Sequence, residues 1–103
     1  MRNIAYLTKA EDDLAHIYHH YAVHRGVKDV ADKILFAIKK SILETLSYEP
    51  AIGRPVESTK VKDLRGFLAA RSHWVLYSHD DDTIYVRRII AAKEMISWSQ
   101  IEF

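Results

Sequence analysis

Residues 64–91, LRGFLAARSHWVLYSHDDDTIYVRRIIA, decide the fold. Three runs within them, 64–70, 73–78 and 83–91, are rich in β-branched and aromatic side chains and predict strands. His79-Asp80-Asp81-Asp82 is a short polar link between the second and third runs, so those two predict a hairpin. Upstream the hydrophobic period is different. Leu14, Ile17, Tyr18 and Tyr21 recur at helical spacing, as do Ala31, Ile34, Leu35, Ile38, Ile42 and Leu46. Gly26 tolerates the left-handed conformation that ends a helix. Pro50 cannot continue the second helix, which is expected over residues 28–47, and it disfavours helix at Glu49. Two helices joined by a short turn form an antiparallel hairpin.

Working outward, residues 3–7 (NIAYL) are short and β-friendly, and Thr8-Lys9-Ala10-Glu11 matches a capping box. The tail 92–99 (AKEMISWS) predicts a short helix with Met95 and Trp98 on one side. The order is β-α-α-β-β-β-(α), with an N-terminal helix hairpin packed on a mostly antiparallel sheet, hence an α+β fold. The 103 residues fit a single domain, 1–103, with one main core and no room for a deep cofactor cavity.

The charge balance is close to neutral: a net charge of +1 gives no global attraction to nucleic acid, so any phosphate-binding surface must be local. The chain has no cysteine, which excludes disulfides and thiolate metal sites. The opening residues lack the apolar run of a signal peptide, and no stretch approaches the ~20 apolar residues of a membrane span. A cytoplasmic location without membrane association is expected.

Four stretches resemble the ParE branch of the ParE/RelE toxin superfamily, the toxins of type II toxin–antitoxin (plasmid stabilization) systems. Ala10-Glu11-Asp12-Asp13-Leu14-Ala15-His16-Ile17 is similar to the family's A-E-x-D-L-x-x-I helix start. Glu49-Pro50-Ala51-Ile52-Gly53-Arg54-Pro55 resembles its P-x-x-G-R-P turn, and Leu64-Arg65-Gly66-Phe67 its hydrophobic-R-x-F strand start. Ser72-His73-Trp74-Val75-Leu76-Tyr77, followed by an acidic turn and Ile84-Tyr85-Val86-Arg87-Arg88-Ile89-Ile90, resembles S-H-V-I-F-Y…I-x-V-x-R-I-L. Their order and spacing span nearly the whole chain.

The resemblance implies a toxin that acts by binding: it inhibits DNA gyrase, blocks replication and is neutralised by a ParD-like antitoxin. Some apolar surface of the free chain should then remain exposed, with hetero-oligomers formed with the antitoxin or self-association without it. Two departures stand out. The branch's usual H-x-R-x-D after the last strand is here Ala91-Ala92-Lys93-Glu94-Met95. A RelE-type ribosome-dependent nuclease, acting on mRNA, often carries a C-terminal Tyr near the place of Trp98, and indole cannot supply a phenolic proton. The alternatives are therefore such an endoribonuclease, with His73 as the acid–base group, or an inactive homologue that only binds its antitoxin.

Between Lys60 and Lys93 lie seven basic residues (Lys60, Lys62, Arg65, Arg71, Arg87, Arg88, Lys93) against four acidic ones (Asp63, Asp80, Asp81, Asp82). Period two places Arg65, Phe67, Ala69 and Arg71 on one face and sends Arg87 and Arg88 to opposite faces. A modest positive patch on an open sheet face results, continued by a mobile C-terminal region. Arg65, Arg71, Arg87, Arg88, Lys93 and Trp98 are the expected target-facing set. The bland counterpart is that these cations pair with Asp63, the acidic turn and Glu94, exposed pairs contributing only about 0–1 kcal/mol each. Trp74 and Tyr77 are expected in the core, and Arg54 in a structural turn.

His16, His20 and His24 are spaced i, i+4, i+8, as metal-binding helix pairs are, but on a face opposite the apolar stripe and without a closing fourth ligand. Adventitious metal binding is the expectation there, with no resident metal or cofactor.

Overall fold

A computed structural model describes residues 1–94 and 97–103, with His24 described by its backbone alone. The chain runs β1 (Asn3–Tyr6), α1 (Thr8–His19), a π turn (His20–His24), α2 (Lys28–Leu46), β2 (Arg54–Pro55), β3 (Arg65–Ala69), β4 (His73–His79) and β5 (Thr83–Ala91). Short 3₁₀ turns follow at Ala92–Glu94 and Trp98–Gln100. Among the described residues the strands form one sheet in the order β1-β5-β4-β3-β2. β1 lies parallel to β5, and the other neighbours are antiparallel. The α+β hairpin-on-sheet expectation holds.

The α2 stripe packs on the core as its periodicity marked, but of the α1 stripe only Leu14 is buried and Ile17 packs on the core, while Tyr18 and Tyr21 are half-buried outside it. Ala10 and Leu14 of α1 and Ala31, Ile38, Ile42 and Leu46 of α2 are buried. They pack with Ala69, Val75, Tyr77, Ile84, Val86 and Ile89 from one face of the sheet. Each fully buried Ile or Leu here contributes about 1.5–3 kcal/mol before entropy is counted.

The other sheet face is not open, contrary to expectation. A second apolar cluster of Val61, Leu64, Leu76 and Ile101, joined by Val56, Ile90, Trp98 and Phe103, covers it. The loop before β3 and the chain's last residues supply this cover. Sequence periodicity could not show it, because neither segment is regular. The C-terminal segment is accordingly packed rather than free: Ile101 is buried, and its carbonyl accepts a hydrogen bond from Lys60 Nζ (3.4 Å).

Three local expectations change, while the stop at Gly26 is met. The capping box does not form. Leu7 N–H bonds the Val86 carbonyl (2.9 Å), which keeps Leu7 extended as the last residue before the helix and puts Thr8 inside the first turn. The first helix ends in the π turn, with Gly26 at φ +67 supplying the left-handed residue. A β-bulge between β4 and β5 pairs Leu76 with Arg88 and Tyr77 with Val86, leaving Arg87 as the extra residue. Strict alternation therefore fails, and Arg87 and Arg88 do not take opposite faces as period two required. The expected C-terminal helix is replaced by the two 3₁₀ turns, and Met95 lies outside the described residues.

Candidate target-binding surface

Three arginines of the expected target-facing set are engaged inside the molecule. Arg65 Nη1 donates to the carbonyls of Ala51 (3.1 Å) and Gly53 (2.6 Å). Arg87 Nε donates to Ser78 Oγ at 3.0 Å. Arg88 forks onto both Asp13 oxygens (2.8 and 3.0 Å) and also donates to the Glu102 carbonyl (2.7 Å).

The Asp13–Arg88 pair explains how the C-terminal segment is held. β1 pairs only with Thr83–Val86, so β5 beyond that point has a free edge. Asp13, one turn into α1, covers part of this edge by accepting the Ile89 N–H (2.8 Å). Arg88 then links that carboxylate to the tail carbonyl of Glu102. The side chains of Arg88 and Asp13 are only 21% and 14% exposed, so this pair is screened little by solvent. The hydrogen bonds that Arg88 donates to the Asp13 carboxylate raise its pKa further and keep the guanidinium charged. A second, exposed ion pair joins Lys9 to Glu102 (3.5 Å).

Trp98 lies half-covered on the second face. Its ring meets Trp74 edge-to-face, with centroids 5.4 Å apart at 78°. The ring lies over Gly66, where a Cβ would come within 3.4 Å of it, an ordinary contact distance. Trp74, expected in the core, is only half-buried and meets the second cluster through Trp98, whereas Tyr77, as expected, is fully buried in the first.

At the far end of the sheet a groove of about 420 Å³ runs between α1 with its π turn and the ends of β4 and β5. Its lining includes His16, His20, Tyr21, His73, Lys93 and Glu94. His73 is 5% exposed, and its Nδ1 is 2.7 Å from Ser72 Oγ. Burial pushes its pKa down, with Glu94 acting against that and Lys93 with it. Arg71 and Lys93 are exposed, and among the described residues neither makes a hydrogen bond or ion pair. Of the expected set, these two are the cations left uncommitted. Among the described residues no group of three or more metal-ligating side chains is placed to hold an ion.

The family model for the ParE toxin of type II toxin–antitoxin systems (parDE) matches residues 4–96. The chain belongs to the ParE toxin family. A solved chain from the chromosomal ParDE toxin–antitoxin system of P. aeruginosa is 25% identical, with a TM-score of 0.70 over 88% of this chain and 96% of that one. A chain of the E. coli DinJ-YafQ toxin–antitoxin complex is 14% identical, with a TM-score of 0.56 over 93% and 98%, and supports the fold alone. No curated protein sequence matches.

In this ParE-family toxin three of the four sequence motifs prove to be one structure. The turn at residues 50–53 is held by Tyr77, whose hydroxyl donates to the Pro50 carbonyl (2.6 Å) and accepts the Gly53 N–H (2.9 Å). Arg65 closes the same turn from β3. A Cβ at Gly53 would sit 2.8 Å from Tyr77 Cε1 and 2.9 Å from the Gly66 carbonyl oxygen, so only glycine fits. Arg54 is exposed on β2 and does not join this brace. Asp13 was missed as a functional anchor, although the A-E-x-D-L motif carries it. A carboxylate one residue before a buried Leu was the available signal.

Proposed function

We propose that this ParE-family toxin inhibits DNA gyrase, thereby blocking replication, and is neutralised by a ParD-like antitoxin. The observation that carries this reading is the state of His73. A nuclease acid–base group must reach the substrate's proton, whereas this imidazole is 5% exposed and its Nδ1 is engaged by Ser72 Oγ. Arg65 and Arg88, the cations that would stabilise a phosphorane-like transition state, are spent on internal carbonyls and on Asp13. The likeness to the ParDE chain points the same way. A ParD-like segment has apolar surface to cover, since Val30, Phe36 and Leu43 on α2 are exposed, as are Tyr48 and Ile52 beyond it.

The test is a plasmid supercoiling reaction with purified gyrase and toxin released from its antitoxin. Loss of supercoiling with accumulation of protein-linked, cleaved DNA is expected. Unimpaired supercoiling at micromolar excess of folded toxin would overturn the reading and favour the endoribonuclease or the inactive homologue.

A further inference from the structure

The turn joining β3 to β4 is built against the preferences of its residues. Ser72 N–H closes it on the Ala69 carbonyl (3.1 Å), and both central residues, Ala70 (φ 51) and Arg71 (φ 62), have positive φ. This is the mirror-image turn geometry that favours Asn-Gly, because a Cβ is strained at both positions. The strain is local and exposed, and no described side chain bonds Arg71 to compensate it. Strain held at an exposed turn is a pointer to use.

A second observation lies beside it. The Ser72 carbonyl accepts the Ala92 N–H (2.9 Å), which ties this turn to the 3₁₀ turn carrying Lys93. Arg71 and Lys93 thus each stand one residue from the same hydrogen bond, on a backbone fixed by β4 and β5. The exposed side chains of these two turns are Ala70, Arg71, Ser72, Lys93 and Glu94. None of these described side chains is large and apolar, and the two cations dominate their chemistry. Two uncommitted cations on small, rigid turns suit phosphates, which a guanidinium fork and an ammonium both bind.

We infer that the strained β3–β4 turn and the turn after β5 form a phosphate-gripping end, with Arg71 and Lys93 on the backbone of the DNA duplex that gyrase holds. This rests on the gyrase reading above and adds a direct toxin–DNA contact to it. Arg71 is exposed on the strained turn, and the bond from Ala92 to Ser72 fixes the backbone of that turn against the one carrying Lys93.

The experiment titrates toxin into gyrase with supercoiled plasmid between 50 and 200 mM salt, comparing the unaltered chain with Arg71→Gly, Lys93→Ala and Ala70→Gly. Removing one phosphate-binding cation should reduce the slope of log affinity against log salt by about 0.9. Arg71→Gly should relax the turn, raising Tm by about 4–8 °C, while weakening trapping and flattening the slope. Lys93→Ala should flatten the slope with Tm unchanged. Ala70→Gly should raise Tm and leave trapping intact, separating turn strain from DNA binding. Trapping by every variant with the unaltered salt slope would overturn the inference and leave the gyrase reading standing. If the unaltered chain traps nothing, the gyrase reading fails and fluorescence anisotropy with a 20-base-pair duplex, a length of about two helical turns, decides. Weaker duplex binding by Arg71→Gly and Lys93→Ala would then support the grip on DNA. Equal binding, no binding, or a preference for single-stranded RNA or for an acidic peptide would overturn it.

Discussion

Replacing Tyr77 by Phe tests the brace that unites the family motifs. The substitution removes one oxygen and keeps the ring, so packing in the core is retained. The Pro50 carbonyl loses its 2.6 Å donor, and the buried Gly53 N–H loses its 2.9 Å acceptor. A typical intramolecular hydrogen bond contributes about 0.5–1.5 kcal/mol net, and an orphaned buried donor costs about 1–3 kcal/mol. The Pro50 side is half-buried and takes the lower figure, because water can replace the missing partner. The sum is about 2–3 kcal/mol. For a domain of this size each kcal/mol moves Tm by about 4–8 °C, so a fall of roughly 10–20 °C is expected. Urea unfolding should show the same loss with an unchanged m value, since little surface is exposed. A loss below about 0.5 kcal/mol would refute the brace and leave the P-x-x-G-R-P turn without its proposed anchor.

Other consequences follow from the same geometry. Asp13→Ala strands the half-buried Arg88 guanidinium and the Ile89 N–H, so it should cost about 3 kcal/mol and raise amide exchange along residues 87–91 and 100–103. Gly53→Ala should destabilise by more than about 1 kcal/mol, because the added methyl meets backbone and ring on both sides. Trp98→Ala empties the second cluster beside Trp74 and should cost about 2–4 kcal/mol in urea unfolding. The His73 pKa lies below its unfolded value near 6.5, so the unfolded state binds the proton first as pH falls. Its contribution is fully present above about pH 6.5 and is lost as pH falls from there through the folded pKa. His73→Asn should flatten that slope in unfolding curves taken between pH 8 and 5.

Much of this architecture is legible in the sequence because it is periodic. The stripes of α1 and α2 and the strands β3 to β5 follow from spacing, and the acidic turn at residues 80–82 follows from composition. Asp80 organises that turn, accepting the Asp82 and Thr83 N–H groups and the Tyr85 hydroxyl, and the Tyr85 bond leads in holding its pKa down. What resisted reading was aperiodic. One inserted residue, Arg87, breaks the alternation of β5. A two-residue strand containing Pro55 leaves no pattern to detect. The second core draws on irregular segments far apart in sequence, Val61 and Leu64 with Trp98, Ile101 and Phe103. Charge counting also overstated the available patch, because whether an arginine faces solvent depends on distant carbonyls such as those of Gly53 and Glu102. Arg71 and Lys93 emerge as the exposed cations of the expected set only once the others are placed.

The most direct test of the central claim, that this toxin binds gyrase and cleaves no RNA, scores both targets in one culture after the toxin is induced without its antitoxin. Chromosomal DNA is assayed for breaks covalently linked to gyrase, and transcripts are mapped by primer extension. Gyrase-linked breaks with intact coding transcripts are predicted. New transcript ends within codons, with no gyrase-linked breaks, would contradict it.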